Sequence, residues 1–329
     1  MITEVHIQNY RSIVDQRVKL HPFTLIVGQN GAGKSNFLRC LSELAKGAIH
    51  MQHGDKEAYY QLEKHYNHTS LPQRFSLLSE RNPITVFEEG NSVKPLSAFS
   101  PPGIIASRWS SFSDKPSIFQ INPKLIGQPE PVVKQPQIHA DGAGSVQILE
   151  GLKTGDREDL FNEIQRVFCE LIPEVEKISF VPVDGGKRIQ VREKHIDKPI
   201  LLSELSEGTR LVLTILTILH QENAPNVIGL EDIDRGLHPR LYEQVIQLCR
   251  RITEEKGVQI IATTHNPYLV DQFKGHEEAV LIVEKTNGET TFTPLSERIA
   301  KFNDVDDEDM PLGEMWYQGL VGGVPKLAY

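Results

Sequence analysis

Residues 28–36 read GQNGAGKSN, directly after the apolar run FTLIV and directly before FLRCLSEL. They fit G-x-x-x-x-G-K-[ST], the phosphate-binding loop, in the strand–loop–helix setting that its chemistry requires. Gly28, Gly31 and Gly33 let the backbone bend with its N–H groups turned toward phosphate oxygens. Lys34 places a point charge between β- and γ-phosphates, and Ser35 offers a hydroxyl to Mg²⁺. The helix that starts near Lys34 aims its positive end at the same anions. A glycine-rich turn without ligand is the alternative, and Lys-Ser between a strand and a helix argues against it. The loop implies binding of a nucleoside triphosphate.

Two later segments have the residue types to complete such a site. Residues 226–232, NVIGLED, form an apolar strand ending in Glu231 and Asp232. One carboxylate at a strand end can hold Mg²⁺ through water, and the next can polarise an attacking water. Residues 259–265, QIIATTH, form a second apolar strand ending in Thr263, Thr264 and His265, where a histidine can sense the γ-phosphate or serve the structure alone. Between them and the loop lies LLSELSEGTRLVLTILTIL, in which Ser206, Glu207, Gly208 and Thr209 open a strongly apolar helix. Ser206 is a natural N-cap for it, and the capped end could also face a nucleotide held by another subunit.

The elements that must position these residues follow from the apolar pattern. Residues 2–8 alternate as a strand, 16–20 can pair with it, and 23–27 is a buried strand. Phe37, Leu38, Leu41 and Leu44 mark one face of a helix running to about Ala45. From 47 to 138 histidines, tyrosines and dispersed prolines predict an inserted irregular lobe, within which RFSLLSE and ITVFEE are strand-like. Two helical stretches at 144–172 and two strands joined by a Gly-Gly turn follow. From 200 helix and strand alternate, which implies a largely parallel sheet covered on both faces. The expected fold class is α/β, with a core at 1–46 and 139–329.

With 329 residues, 24% charged and 39% hydrophobic, the chain has the composition of a soluble globular protein. No apolar stretch approaches the roughly 20 residues that span a bilayer, and the first residues lack a signal-peptide pattern. Cys40, Cys169 and Cys249 are odd in number and far apart, so neither a disulfide framework nor a zinc site is indicated. No membrane partner and a cytoplasmic location are the expectations. The net charge of −9 argues against a surface built for tight, sequence-blind DNA binding, while leaving a local basic groove open. The acidic run at 304–309 reads as a solvated segment.

Phosphate loop, Ser-Gly helix start, ED-ended strand with GLHP, then TTH: in this order the motifs resemble the ABC-type ATPases. The opening HIQNYRSI, the LSEGTR element and GLHPRL at 236–241 are similar to the branch of RecF, the structural-maintenance-of-chromosomes (SMC) proteins and the overcoming-lysogenisation-defect nucleases. HADGAGSVQILEGL and GEMWYQGLVGGVP look like small stand-alone bacterial ATPases of this group. The likeness covers about 1–46 and 139–325.

The resemblance implies a P-loop NTPase of ABC type, with a mixed sheet core, that binds ATP and Mg²⁺. Gly28, Gln29, Asn30, Gly31, Ala32, Gly33, Lys34, Ser35 and Asn36 would hold the phosphates, with Arg11 and Ser12 near base and phosphates. Ser35 and Glu231 would face the metal, Asp232 would be the catalytic base, and His265 the switch histidine. Ser206, Gly208 and Thr209 would complete the site across a homodimer, and Asp234 to Leu237 would join the two sites. The family's usual D-E pair is E-D here, which implies slow turnover or an altered metal distance. Asn266 stands where Ser is common, and Gln120 and Gln73 are left as candidates for a lid glutamine. DNA-linked repair or anti-phage defence, with a separate effector protein and with DNA as a further partner, comes from the resemblance alone.

Three other readings stay open. Asp232-x-Asp234 has the spacing of a nuclease metal site, although its place before GLHP favours the ATPase. A GTPase or kinase would need signatures that are missing, such as N-K-x-D. A nucleotide-gated clamp or scaffold with little turnover uses the same motifs.

Overall fold

The computed structural model describes residues 1–42, 74–79, 83–87, 116–222, 224–301 and 310–324. Leu44, Gln73, most of the proline-bearing segment and the acidic run at 304–309 lie outside the described residues. The strands before residue 120 are β1 (Ile2–Tyr10), β2 (Ile13–Lys19), β3 (Phe23–Val27), β4 (Arg74–Ser79), β5 (Pro83–Phe87) and β6 (Pro116–Phe119). Those after it are β7 (Val175–Val183), β8 (Gly186–Glu193), β9 (Ile200–Leu201), β10 (Val227–Leu230), β11 (Gln259–Thr264), β12 (Val280–Thr286) and β13 (Glu289–Pro294). The helices are α1 (34–42), α2 (Ser145–Thr154), α3 (Glu158–Leu171), α4 (Glu207–His220), α5 (Tyr242–Lys256), α6 (Pro267–Asp271), α7 (Leu295–Ala300) and α8 (Leu312–Tyr317).

The chain divides into two compact units, the first made of Met1–Ile118, Pro225–Glu231 and Cys249–Tyr329. Its main sheet has the order β13-β12-β3-β11-β10-β6. β3 runs parallel to β11 and β12, β11 runs parallel to β10, and β12–β13 is antiparallel. This is the mixed α/β sheet that the sequence implies. Every residue of β3, β10 and β11 is buried, which is why these segments read as unbroken apolar runs and not as alternations. Phe37, Leu38 and Leu41 of α1 are fully buried in a cluster with Ile2, Val5, Ile7, Ile261 and Val283. Among the described residues no helix is long and apolar enough to cross a membrane.

A second sheet in this unit has the order β2-β1-β4-β5. Tyr10 pairs with Ile13, so Arg11 and Ser12 make the tight turn between β1 and β2, with Arg11 at φ 51°. The strand-like runs RFSLLSE and ITVFEE, expected inside an irregular lobe, are β4 and β5; β4 pairs along β1 and β5 along β4. Their partner lies some seventy positions away in sequence, so no local pattern announces the pairing. β13 is absent from the sequence-based expectation, in which the last strand is AVLIVEK at 279–285. Asn287 and Gly288, both at positive φ, form the two-residue connection that turns β12 into it.

The second unit comprises Phe119–Ala224 and Asp232–Leu248. Here β7, β8 and β9 form an antiparallel sheet, with α3 packed on β7 and α2 on β8. Phe161, Ile164, Val167 and Phe168 of α3, with Ile178, Ile189 and Val191 of the strands, are among its buried side chains. Residues 211–220 of α4 are buried all round, as suits a strongly apolar helix. Glu130, itself buried, accepts from the Gly144 and Gln147 N–H groups at 2.7 and 3.1 Å and so holds the start of α2. Burial pushes its carboxyl above the usual range, and the backbone donors work against that rise.

Candidate nucleotide site

Lys34 is only 7% exposed, and its ammonium donates to the carbonyls of Gly28 and Gln29 at 2.6 and 3.1 Å. The loop thus curls around its own lysine, with the charge inside the ring of backbone groups. Gly33 sits at φ +121°, and a Cβ there would lie 2.5 Å from the Thr290 hydroxyl oxygen. Gly33→Ala therefore meets both backbone strain and a side-chain clash, and is expected to weaken ATP binding about tenfold or more. Titration calorimetry on protein whose fold is checked by circular dichroism reads this directly.

The Ser35 hydroxyl donates to a carboxylate oxygen of Glu231, at the end of β10. A hydroxyl beside a carboxylate, with phosphate oxygens and water to fill the remaining positions, is the donor set a hard divalent cation takes. These two residues fit Mg²⁺. Among the described residues no group of three or more His, Cys, Asp or Glu could hold a metal, and a cation shared with a triphosphate needs none.

Parallel register aligns the strand ends of the first unit. Thr264 lies opposite Val27 and Leu230 opposite Ala262, so His265 stands level with Gly28 and Glu231 with Thr263. His265 is exposed. The Thr264 hydroxyl accepts from the Asn266 N–H at 3.0 Å, and Asn266 Oδ1 accepts from the Tyr268 N–H at 3.0 Å. Asn266 is therefore the N-cap of α6, a role that asparagine and serine fill about equally well. The C-terminal GEMWYQG run packs α8 on α6, and the Gly313 N–H donates to Asp271 Oδ1 at 2.7 Å. A Cβ at Gly313 would come within 2.1 Å of the Pro267 carbonyl, so only glycine lets α8 approach so closely.

In the second unit, Asp232 adopts φ 50°, the left-handed region that Asp tolerates better than most residues. It opens a turn in which the Arg235 N–H donates to the Asp232 carbonyl and the Leu237 N–H to the Asp234 carbonyl. Asp234 is buried, whereas Asp232 is half-buried. This GLHP loop lies on the start of α4, since a Cβ at Gly208 would meet the Gly236 carbonyl at 2.5 Å. Ser206 is exposed and caps α4, accepting from the Thr209 N–H at 3.1 Å. Gln120 follows β6 with an exposed side chain.

Comparisons with known proteins agree with this fold. Residues 1–96 match the family model "AAA ATPase domain", and residues 152–271 match "AAA domain, putative AbiEii toxin, Type IV TA system". An SMC head solved with the C-terminal winged-helix domain of ScpA superposes with a TM-score of 0.55 at 13% identity, covering 91% of this chain and 99% of that one. The SMC head domain from Thermotoga maritima gives a TM-score of 0.50 at 16% identity, covering 89% and 98%. Residues 1–96 and 152–271 are thus similar to ATPase domains, and the fold is that of an SMC head. A comparison with curated protein sequences finds no match. The first family match runs to residue 96 and so includes β4 and β5.

Within the first unit the structure brings together the loop 28–36, Glu231, Arg11 and Ser12. The Arg11 guanidinium donates to Asn36 Oδ1 at 3.2 Å and lies 5.6 Å from the centre of the Tyr10 ring. Ser12 bonds Asn36 and Thr290. Thr290 is the site residue that sequence reasoning misses: it touches the loop from β13, more than 250 positions downstream. The Asn-Gly turn at 287–288 is the signal that could reveal its strand, though not its partner.

Proposed function

We propose that this protein hydrolyses Mg²⁺-ATP within a head-to-head homodimer that closes on the nucleotide. The contact between Ser35 and Glu231 carries the reading, because it joins the phosphate loop to the carboxylate strand at the point where a metal-bound triphosphate would lie. Bound Mg²⁺ would neutralise charge on the β- and γ-phosphates. Residues 28–36 would grip the phosphates through backbone N–H groups and Lys34, with Arg11 beside the nucleotide. Asp232 would accept a proton from the attacking water, and His265, at the exposed end of β11, would face the γ-phosphate.

Ser206, Gly208 and Thr209 of one copy would complete the site on the other. The exposed, capped start of α4 supports this role, since a helix N-terminus favours anions. ATP then supplies the differential affinity that closes the dimer, and its hydrolysis removes it. DNA-linked repair or anti-phage defence is carried over from the motif resemblance; the match to a family described as a putative AbiEii toxin of a type IV toxin–antitoxin system is in keeping with a defence role, and the winged-helix domain of ScpA on a solved SMC head supports a separate partner protein.

Mixing two inactive variants tests the composite site. Lys34→Ala disables the phosphate loop, and Ser206→Arg disables the surface lent to the other copy. Each alone is expected to be inactive. Mixed, they form heterodimers with one intact site, so ATPase activity should return to about a quarter of wild type by random pairing. No recovery, in a mixture that light scattering shows to be dimeric with ATP, rejects the composite site.

A further inference from the structure

Thr290 is 1% exposed, and its hydroxyl lies 2.8 Å from the Ala32 carbonyl and 2.7 Å from the Ser12 hydroxyl. A carbonyl can only accept, so the single Thr290 proton goes to Ala32 and Ser12 donates to Thr290. Ser12 Oγ in turn accepts from Asn36 Nδ2 at 3.0 Å, and Asn36 Oδ1 accepts from Arg11 Nη1 at 3.2 Å. The row of bonds runs in one direction, from the β1–β2 turn to a carbonyl inside the phosphate loop. The Thr290 N–H also donates to the Ser12 carbonyl at 2.6 Å, which anchors the residue through its backbone.

We propose that Thr290 is a positioning residue of the phosphate loop. The Ala32 carbonyl and the Gly33 N–H belong to one planar trans peptide and point in opposite directions. Holding that carbonyl on Thr290 therefore turns the Gly33 N–H away from Thr290 and toward bound phosphate. Gly33 lacks a Cβ because the Thr290 side chain stands where one would be. Ser12, which the motif resemblance assigns to the nucleotide itself, serves it through this bond.

The test compares Thr290→Val, which keeps the shape and loses the hydroxyl, with Thr290→Ser, which keeps the hydroxyl. Thr290→Val leaves the buried Ala32 carbonyl without its donor, and is expected to weaken ATP and ADP alike by about tenfold. Both nucleotides are affected because both present the β-phosphate to the loop. The KM for ATP should rise by the same factor, with kcat within about threefold. Thr290→Ser should restore affinity to within about twofold of wild type. Ser12→Ala acts one bond further out and should cost about threefold alone, adding nothing further to Thr290→Val.

If Thr290→Val lowers the Tm but leaves both affinities within twofold, Thr290 is structural only and the proposal fails. It fails equally if Thr290→Ser is as weak as Thr290→Val, or if the Ser12 and Thr290 effects multiply. Should Thr290→Val not fold, Ser12→Ala and Thr290→Ser decide the same question: threefold weaker and unchanged support the row, and any other pair of values overturns it. The proposal rests on residues 28–36 being the nucleotide site. A Lys34→Ala protein that loses ATP, beside a Thr290→Val protein that keeps it, refutes the positioning role alone.

Discussion

Lys34→Ala is expected to lower ATP affinity about 100-fold or more, below detection by calorimetry at ordinary protein concentrations. The side chain is buried inside the loop and donates to two of its carbonyls. Its loss removes a positive charge from beside the phosphates and leaves those carbonyls without that donor. A charge-assisted bond from Lys34 to a phosphate oxygen contributes roughly 1.5–3 kcal/mol, so one to each of the β- and γ-phosphates corresponds to about two decades or more in affinity. Binding of ATP within tenfold of wild type by a folded Lys34→Ala protein would remove the loop from the site.

Asp232→Asn has the other large effect, on turnover and not on binding. Asp232 sits at φ 50°, and asparagine tolerates that left-handed conformation as well as aspartate does. The turn should survive while its carboxylate is lost. Removal of a general base typically costs 10²–10⁴-fold, so kcat is expected to fall about 1,000-fold while the Kd for ATP stays within about threefold. With hydrolysis blocked, the ATP-closed state should accumulate. Size-exclusion chromatography with light scattering should find Asp232→Asn monomeric alone and dimeric with Mg²⁺-ATP. An oligomeric state indifferent to ATP would sink the closure mechanism, and an undiminished kcat would move the base elsewhere.

The two carboxylates also show how far sequence order reaches. Glu231 and Asp232 are neighbours at the end of an apolar strand, and that much is read directly from NVIGLED. Their environments diverge because the strand ends at Leu230 and the backbone turns left-handed at Asp232. Glu231 consequently meets Ser35, while Asp232 begins the turn that leads to GLHP. The exchange of the usual D-E order for E-D thus concerns two positions with different backbone geometry, where a change in side-chain length has different consequences.

Much of the site was legible because its determinants are local. The phosphate loop, the Ser206 cap and the buried strands β3, β10 and β11 are each written within ten residues or so, through glycine freedom, N-cap chemistry and unbroken apolar runs. The pairing of β4 with β1, the place of β6 at the sheet edge and the reach of Thr290 were not legible in the same way. Strand partners are chosen by packing and register over the whole chain, and a strand's own residues constrain that choice only weakly.

By itself the sequence of this protein determined which chemistry was available: the amides of a glycine-rich loop, a lysine, a hydroxyl, carboxylates and a strand-end histidine. The tertiary structure alone decided which of these groups meet. Ser35 reaches Glu231 across 196 positions, and Thr290 reaches Ala32 across 258, because the sheet sets β3 between β11 and β12 and brings β13 back alongside β12. Hydrogen bonds last only a few ångströms, so side chains so remote in sequence can bond only after sheet order has carried them there. The loop's residues specify a grip on phosphate, and the strands around it aim that grip.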